Sequence, residues 1–272
     1  MPTYFDGKLV FIHIPKCAGK SVRSALKEYQ LRLRPETHGD PLVYRWHESL
    51  SEVQGLFNEK WNEEKFEQAT VVATIRHPVE RAVSYWRYLK KINMMSFLDH
   101  KKNPHFVYRL SAAGVVCPCF TPKDYATHHH KAIGCGHRMR RKYVEEFDAL
   151  TFHDYTKRMT VWKKSGCSYP NCPYHALAPQ IRWLHDANGY VKMNKLNLFL
   201  VDRLDELQRF LPEMGKIDRI DAYFEKKENE DHRECLTTES LLLLNEFYAE
   251  DFKLYEMLKS RPANYYEQLL RP

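Results

Sequence analysis

The stretch KLVFIHI, Lys8 to Ile14, is a short continuous apolar run, the pattern of a strand buried on both faces. After the loop PKCAG, Val22, Ala25, Leu26 and Tyr29 recur at helical spacing, so the opening reads as strand, loop, helix. A second such unit lies in ATVVATIRHPVERAVSYWRYL: the β-branched run Thr70 to Ile75 ends at Arg76, and Pro78 stands where a helix begins. That helix carries Arg81, Ser84 and Arg87. A third apolar run, LNLFLVD, precedes the helical RLDELQRFL, and Thr238 to Leu258 is again helical by pattern. Strands alternating with helices predict an α/β fold, a central parallel sheet with flanking helices. From about Phe97 to Pro179 the chain loses this regularity, is rich in His, Cys and Lys/Arg, and reads as helices and loops laid over the sheet. No repeat, low-complexity tract or linker divides the sequence, so residues 1–272 are expected to form a single domain.

Composition narrows the function classes. With 272 residues and 43% hydrophobic content the chain can bury a full core. Lys+Arg 42 against Asp+Glu 35 gives a net charge of +7, which suits an anionic ligand but is too dilute to single out nucleic acid. No stretch approaches the roughly 20 apolar residues of a membrane span. The run Leu9 to Ile14 is interrupted by His13 and has no cleavage-site pattern, so the chain reads as neither anchored nor secreted. Seven cysteines leave at least one free thiol. The clusters CPC (Cys117, Cys119), CGH (Cys135, His137) and CSYPNCPYH (Cys167, Cys172, His175) lack the C-x-x-C spacing of zinc ribbons, so reduced thiols are expected over a structural zinc and no catalytic metal is assigned.

The loop between the first strand and helix is the place to look for chemistry. Such a loop offers backbone N–H groups and the positive end of a helix dipole, a site for phosphate or sulfate, and Lys16 adds a mobile charge. An ATPase P-loop, G-x-x-x-x-G-K-[ST], ending at Gly19-Lys20-Ser21 would need its first glycine where Ile14 stands. Asp202, after LFLV, keeps a P-loop kinase as an alternative, as the acidic magnesium ligand; its other reading is a helix cap.

IPKCAGKS together with TIRHPVERAVSYWRY resembles the two phosphate-binding segments of sulfotransferases that use 3′-phosphoadenosine 5′-phosphosulfate (PAPS), and most of all the carbohydrate group containing the heparan 2-O and chondroitin enzymes and their soluble relatives. In that family the first segment reads roughly hIPKtagTS and the second R-x-P-x-x-R-x-x-S-x-Y. PQIRWLHDANGYVKMNKLNLFLVDRLDEL further resembles the family's glutamine-containing segment and following strand, and LNEFYAEDFKLYEML its closing iYxxDFxlfgY helix.

The resemblance implies that Lys16, Cys17, Ala18, Gly19, Lys20 and Ser21 hold the 5′-phosphosulfate and that Arg76 and Ser84 hold the 3′-phosphate. Lys16 is then the electrophile beside the bridging oxygen. Lys20 departs from the family's usual Thr and either adds a phosphate contact or points into solvent. The acceptor-side residues fall in the irregular middle. The base of the resembled family lies between the two segments, an interval holding only His38 and His47; His47 precedes the helical pattern Leu50, Val53, Leu56-Phe57 and is preferred, with His38 second and His175 third.

The implied reaction moves a sulfuryl group in line from PAPS to an acceptor hydroxyl, releasing the 3′,5′-bisphosphate PAP, with a carbohydrate acceptor favoured and a small-molecule alcohol or amine as the alternative. A non-catalytic binder of anionic glycans, using HRMRRK and WKK, is the reading from another class. No nucleic-acid or membrane partner is expected. With Met1 as natural start, only about seven residues precede the first strand, so a cytoplasmic enzyme is expected, with the Golgi lumen as alternative if an anchor has been trimmed.

Overall fold

The computed structural model describes residues 2–32, 48–98, 151–164, 178–215 except 187, 190, 192, 194 and 195, and 236–262. The two strand-loop-helix units form as their patterns predict. Strand β2 (Leu9–Ile12) is buried throughout, and the loop after it leads into α1 (Gly19–Ala25). Strand β4 (Thr70–Ile75) leads into α4 (Pro78–Leu98), and β5 (Leu196–Leu200) into α6 (Leu204–Gly215) through a 3₁₀ turn at Val201–Arg203. Between β2 and β4 lie α2 (Leu50–Lys60) and α3 (Glu63–Gln68). A capping box starts α2: Glu52 N donates to Ser49 Oγ at 3.3 Å while Ser49 N donates to Glu52 Oε2 at 2.9 Å. Leu50, Val53, Leu56 and Phe57 form its buried stripe.

The sheet order is β3 (Gln30–Arg32), β1 (Pro2–Tyr4), β2, β4, β5. β2, β4 and β5 are parallel, with Val10 opposite Val71 and Val72 opposite Asn197. The sheet is nevertheless mixed, which corrects the expectation of a parallel one: β1 runs antiparallel to both β2 and β3. Phe5, Asp6 and Gly7 all take positive φ (52°, 54° and 83°), and this tight turn returns the chain from β1 to β2. Strands of three residues carry too little alternation to register as a pattern.

The described residues divide between two compact units. The first comprises 1–81, 178–230 and 248–272 and contains the whole sheet. Its core joins Tyr4, Leu9 and Phe11 to Val72 and Phe199, together with Val22 of α1, Leu26 just after it, and Leu207, Phe210 and Leu211 of α6. The second comprises 82–177 and 231–247. In it α5 (Phe152–Lys164) packs on α7 (Thr238–Phe247), where the His153 ring meets Ser240 Oγ through Nδ1 at 3.3 Å and Glu239 through Nε2 at 3.1 Å. The tail expected as one helical stretch is two helices: Tyr248 leaves helical geometry (φ −110°, ψ 28°) before α8 (Ala249–Lys259) begins.

Candidate active site

The loop from His13 to Ala18 is held in a strained shape. Lys16 (φ 66°) and Ala18 (φ 58°) are both left-handed without being glycine, a conformation costing about 1–2 kcal/mol each. Cys17 sits between them, fully buried. Several bonds hold it there: its N–H donates to Ile14 O at 3.3 Å, its carbonyl accepts from the Thr74 hydroxyl of β4, and its thiol donates to Gln180 Oε1 at 3.0 Å. Burial pushes the thiol up to about 11, against the opposing charges of Arg81 and Arg76, so near neutrality Cys17 is a neutral donor rather than a nucleophile. At the start of α1 the His13 ring, itself buried, lies against the backbone of Gly19. A Cβ at position 19 would stand 1.8 Å from His13 Cδ2, so only glycine fits. Lys20 is exposed, and Lys16, Ala18 and Ser21 are partly exposed at the same turn.

Arg76 follows the last residue of β4, the strand paired directly with β2. Its main chain is held at both polar atoms by one side chain: Arg76 N donates to Gln180 Oε1 at 2.9 Å and Gln180 Nε2 donates to Arg76 O at 2.8 Å. Its guanidinium Nε pairs with Glu80 Oε2 at 3.3 Å, across one helical turn. The first unit therefore brings Lys16 to Ser21 and Arg76 to the ends of two adjacent parallel strands. Ser84, half-buried on α4, belongs to the second unit. His38, His47 and His175 lie outside the described residues, as do the cysteine clusters from Cys117 to Cys172.

Beneath the loop lies a set of residues that fall within the quoted segments but to which the sequence assigned no role. Asp251, on α8, is fully buried and accepts from Gln180 N at 2.7 Å and Ile181 N at 3.0 Å, capping the 3₁₀ turn Gln180–Leu184. Arg81 is 2% exposed; its Nη1 lies 3.9 Å from Asp251 Oδ2 and donates to Ala178 O at 3.0 Å, while its Nε donates to Pro15 O at 3.1 Å. The face of Tyr248 lies under the Arg81 guanidinium at 5.7 Å. Burial pushes the Asp251 carboxyl above its usual range, opposed by Arg81 and the two backbone donors. A signal for Asp251 exists in the sequence: it shares the spacing of Leu254, Tyr255 and Leu258, the buried stripe of α8, and a charge in an apolar stripe needs a buried partner.

Asp202, the candidate magnesium ligand, follows β5 and accepts from the Tyr255 hydroxyl at 2.8 Å. Beside Arg76, His77 packs edge-on against Phe252 and Tyr255, and burial lowers its pKa, which favours the neutral ring. Among the described residues there is no cluster of metal-ligating side chains and no helix long and apolar enough to cross a membrane.

A model of the sulfotransferase family matches residues 5–257, a span that runs from the turn before β2 to the last turns of α8. Comparisons with the curated proteins and with the solved structures find no match.

Proposed function

The chain belongs to the sulfotransferase family, and from that membership we propose that its donor is PAPS, held by the β2–α1 loop and the end of β4. The observation that carries this reading is the fastening of these two segments to each other through Gln180 within one compact unit. The residues suit a bisphosphate anion. Lys16 and Lys20, in the turn after β2, and Arg76, at the end of β4, are cationic.

In this reading Lys16 stabilises the negative charge that develops on the leaving phosphate, and Ala18 to Ser21 hold the same phosphate through backbone and hydroxyl. Cys17 shapes the loop, since its amide, carbonyl and thiol are all engaged by protein. Arg76 reads the 3′-phosphate, with Glu80 holding Nε of Arg76 and so fixing the plane of its guanidinium. Bound there, PAPS supplies an activated sulfuryl group; the chain supplies position, charge and a base. His47 removes the acceptor proton, with His38 as the second choice. The acceptor is a carbohydrate hydroxyl, in keeping with the basic character of the chain.

The test is a panel of glycans and small alcohols and amines incubated with sulfur-labelled PAPS. Label is expected on a glycan, at a turnover number that Lys16→Ala lowers more than it lowers donor affinity. Label on small alcohols or amines alone would move the acceptor to that class. No transfer to any acceptor, with tight binding of sulfated polymers, would favour a binder over an enzyme.

A further inference from the structure

We infer that Gln180 is a positioning residue that holds the loop around Lys16 and the main chain of Arg76 in register, so that the two halves of the donor site stand or fall on one side-chain amide. The inference rests on the donor reading above and adds to it a residue that touches no donor atom.

The geometry is specific to glutamine. Oε1 receives two donors from distant parts of the chain, the Cys17 thiol and the Arg76 amide, while Nε2 donates to the Arg76 carbonyl. The parallel pairings of β4 run no further than Ile12 with Ala73 on one side and Ile75 with Leu200 on the other. Arg76 is the next residue, and the Gln180 amide meets it as a neighbouring peptide would, one donor to its carbonyl and one acceptor to its N–H. Leucine would make none of these bonds, ionised glutamate could not donate to Arg76 O, and asparagine is one methylene short.

Gln180 is itself anchored. Asp251 receives its backbone N–H and pairs with Arg81, and Arg81 returns to the loop through Pro15 O. The ring Pro15, Arg81, Asp251, Gln180, Cys17 therefore closes around Lys16, both of whose chain neighbours are fixed by buried side chains while Lys16 takes a left-handed φ. If the ring opens at Gln180, the loop loses a restraint that opposes this strain, and Arg76 loses its register in the same event. The signature is linked loss: a change at position 180 weakens the 5′ and 3′ sides together, unlike a change in the Arg76 side chain, which touches the 3′ side alone.

The test uses Gln180→Leu in the full chain, with two readouts. Amide hydrogen exchange of the free protein is expected to show faster exchange at Arg76 and across the loop from Ile14 to Gly19, with β2 and β5 unchanged. Titration is expected to show PAP and 5′-AMP affinities each falling by roughly 10- to 100-fold. Gln180→Glu, in a pocket faced by Cys17, Arg76, Arg81 and Asp251, should recover PAP affinity relative to wild type as pH falls, because the protonated acid regains a donor for Arg76 O. Unchanged exchange at Arg76 and the loop, or affinities within twofold of wild type, would overturn the inference. So would loss of PAP affinity alone. If Gln180→Leu does not fold, Cys17→Ala takes its place: faster loop exchange and weaker 5′-AMP binding, restored by Cys17→Ser, support the ring, and no change in either overturns it. If wild-type protein binds neither PAP nor 5′-AMP, the donor reading fails, and the exchange readout still decides whether Gln180 fixes the loop.

Discussion

Replacing Arg81 with methionine keeps most of the side chain's volume and removes its charge and donors. Among what is lost in the buried interior are the bond to Pro15 O, the bond to Ala178 O, the contact with the Tyr248 face and the cation beside Asp251. The last dominates, because removing one member of a buried pair leaves the other charge uncompensated, at a cost of about 3–5 kcal/mol. Asp251 is fully buried and would keep its hydrogen bonds from Gln180 and Ile181 but lose the cation beside it, so a cost within that range is expected near pH 8. The sign of the pH dependence follows from the raised pKa of Asp251, which the mutation raises further. A carboxyl whose folded pKa lies above its unfolded value binds protons more readily when folded. The native state therefore loses stability as pH rises from the unfolded value towards the folded one. The penalty of Arg81→Met should thus shrink between pH 8 and pH 5, while Arg81→Met with Asp251→Asn should cost less than the sum of the two single changes. Urea unfolding at both pH values, followed by circular dichroism, measures all of this. A penalty below about 1 kcal/mol, or one equal at pH 5 and pH 8, would refute a buried ion pair at this position.

Gly19→Ala places a methyl 1.8 Å from the His13 ring and is expected to destabilise by about 1–3 kcal/mol with loss of PAP affinity; His13→Ala in the same chain should relieve part of both, and additive effects in urea unfolding would count against the contact. Cys17, buried with its thiol pushed up to about 11, should resist iodoacetamide at pH 8 in the folded protein and react only after unfolding, as read by peptide mass mapping. His47→Ala should bind PAP normally and lose roughly 10²–10⁴-fold in turnover, with the acidic limb of the pH profile gone; if His38→Ala loses turnover and His47→Ala does not, the base is His38.

The sequence made the parallel part of the sheet legible because its strands are long enough, or apolar enough, to leave a pattern. Thr70–Ile75 and the proline at the head of α4 stand where the β-branched run and Pro78 place them. The edge of the sheet was not legible. β1 and β3 are three residues each; the Phe5-Asp6-Gly7 turn folds β1 back on β2, and β3 pairs with the other edge of β1. Of the proposed donor segments, Lys16 to Ser21 and Arg76 were readable as residue types at a spacing. The role of the residue that holds them was not, since Gln180, legible only as part of a glutamine-containing segment, sits in a 3₁₀ turn without periodicity and meets partners 104 and 163 positions away. Asp251 and Arg81 were visible in principle, as charges on otherwise buried helical faces. What physical pattern could not supply was which charge pairs with which, because that depends on the crossing of strands and helices far apart in the chain.

The most direct measurement of the central claim is calorimetric titration of the protein with PAP, 5′-AMP and ATP with magnesium, repeated for Arg76→Ala. A donor site for PAPS predicts that PAP binds the wild type more tightly than 5′-AMP or ATP. Arg76→Ala should then lose about 1.5–3 kcal/mol of PAP binding with 5′-AMP hardly affected. Tight binding of magnesium-ATP with none of PAP, or equal losses of PAP and 5′-AMP in Arg76→Ala, would contradict it.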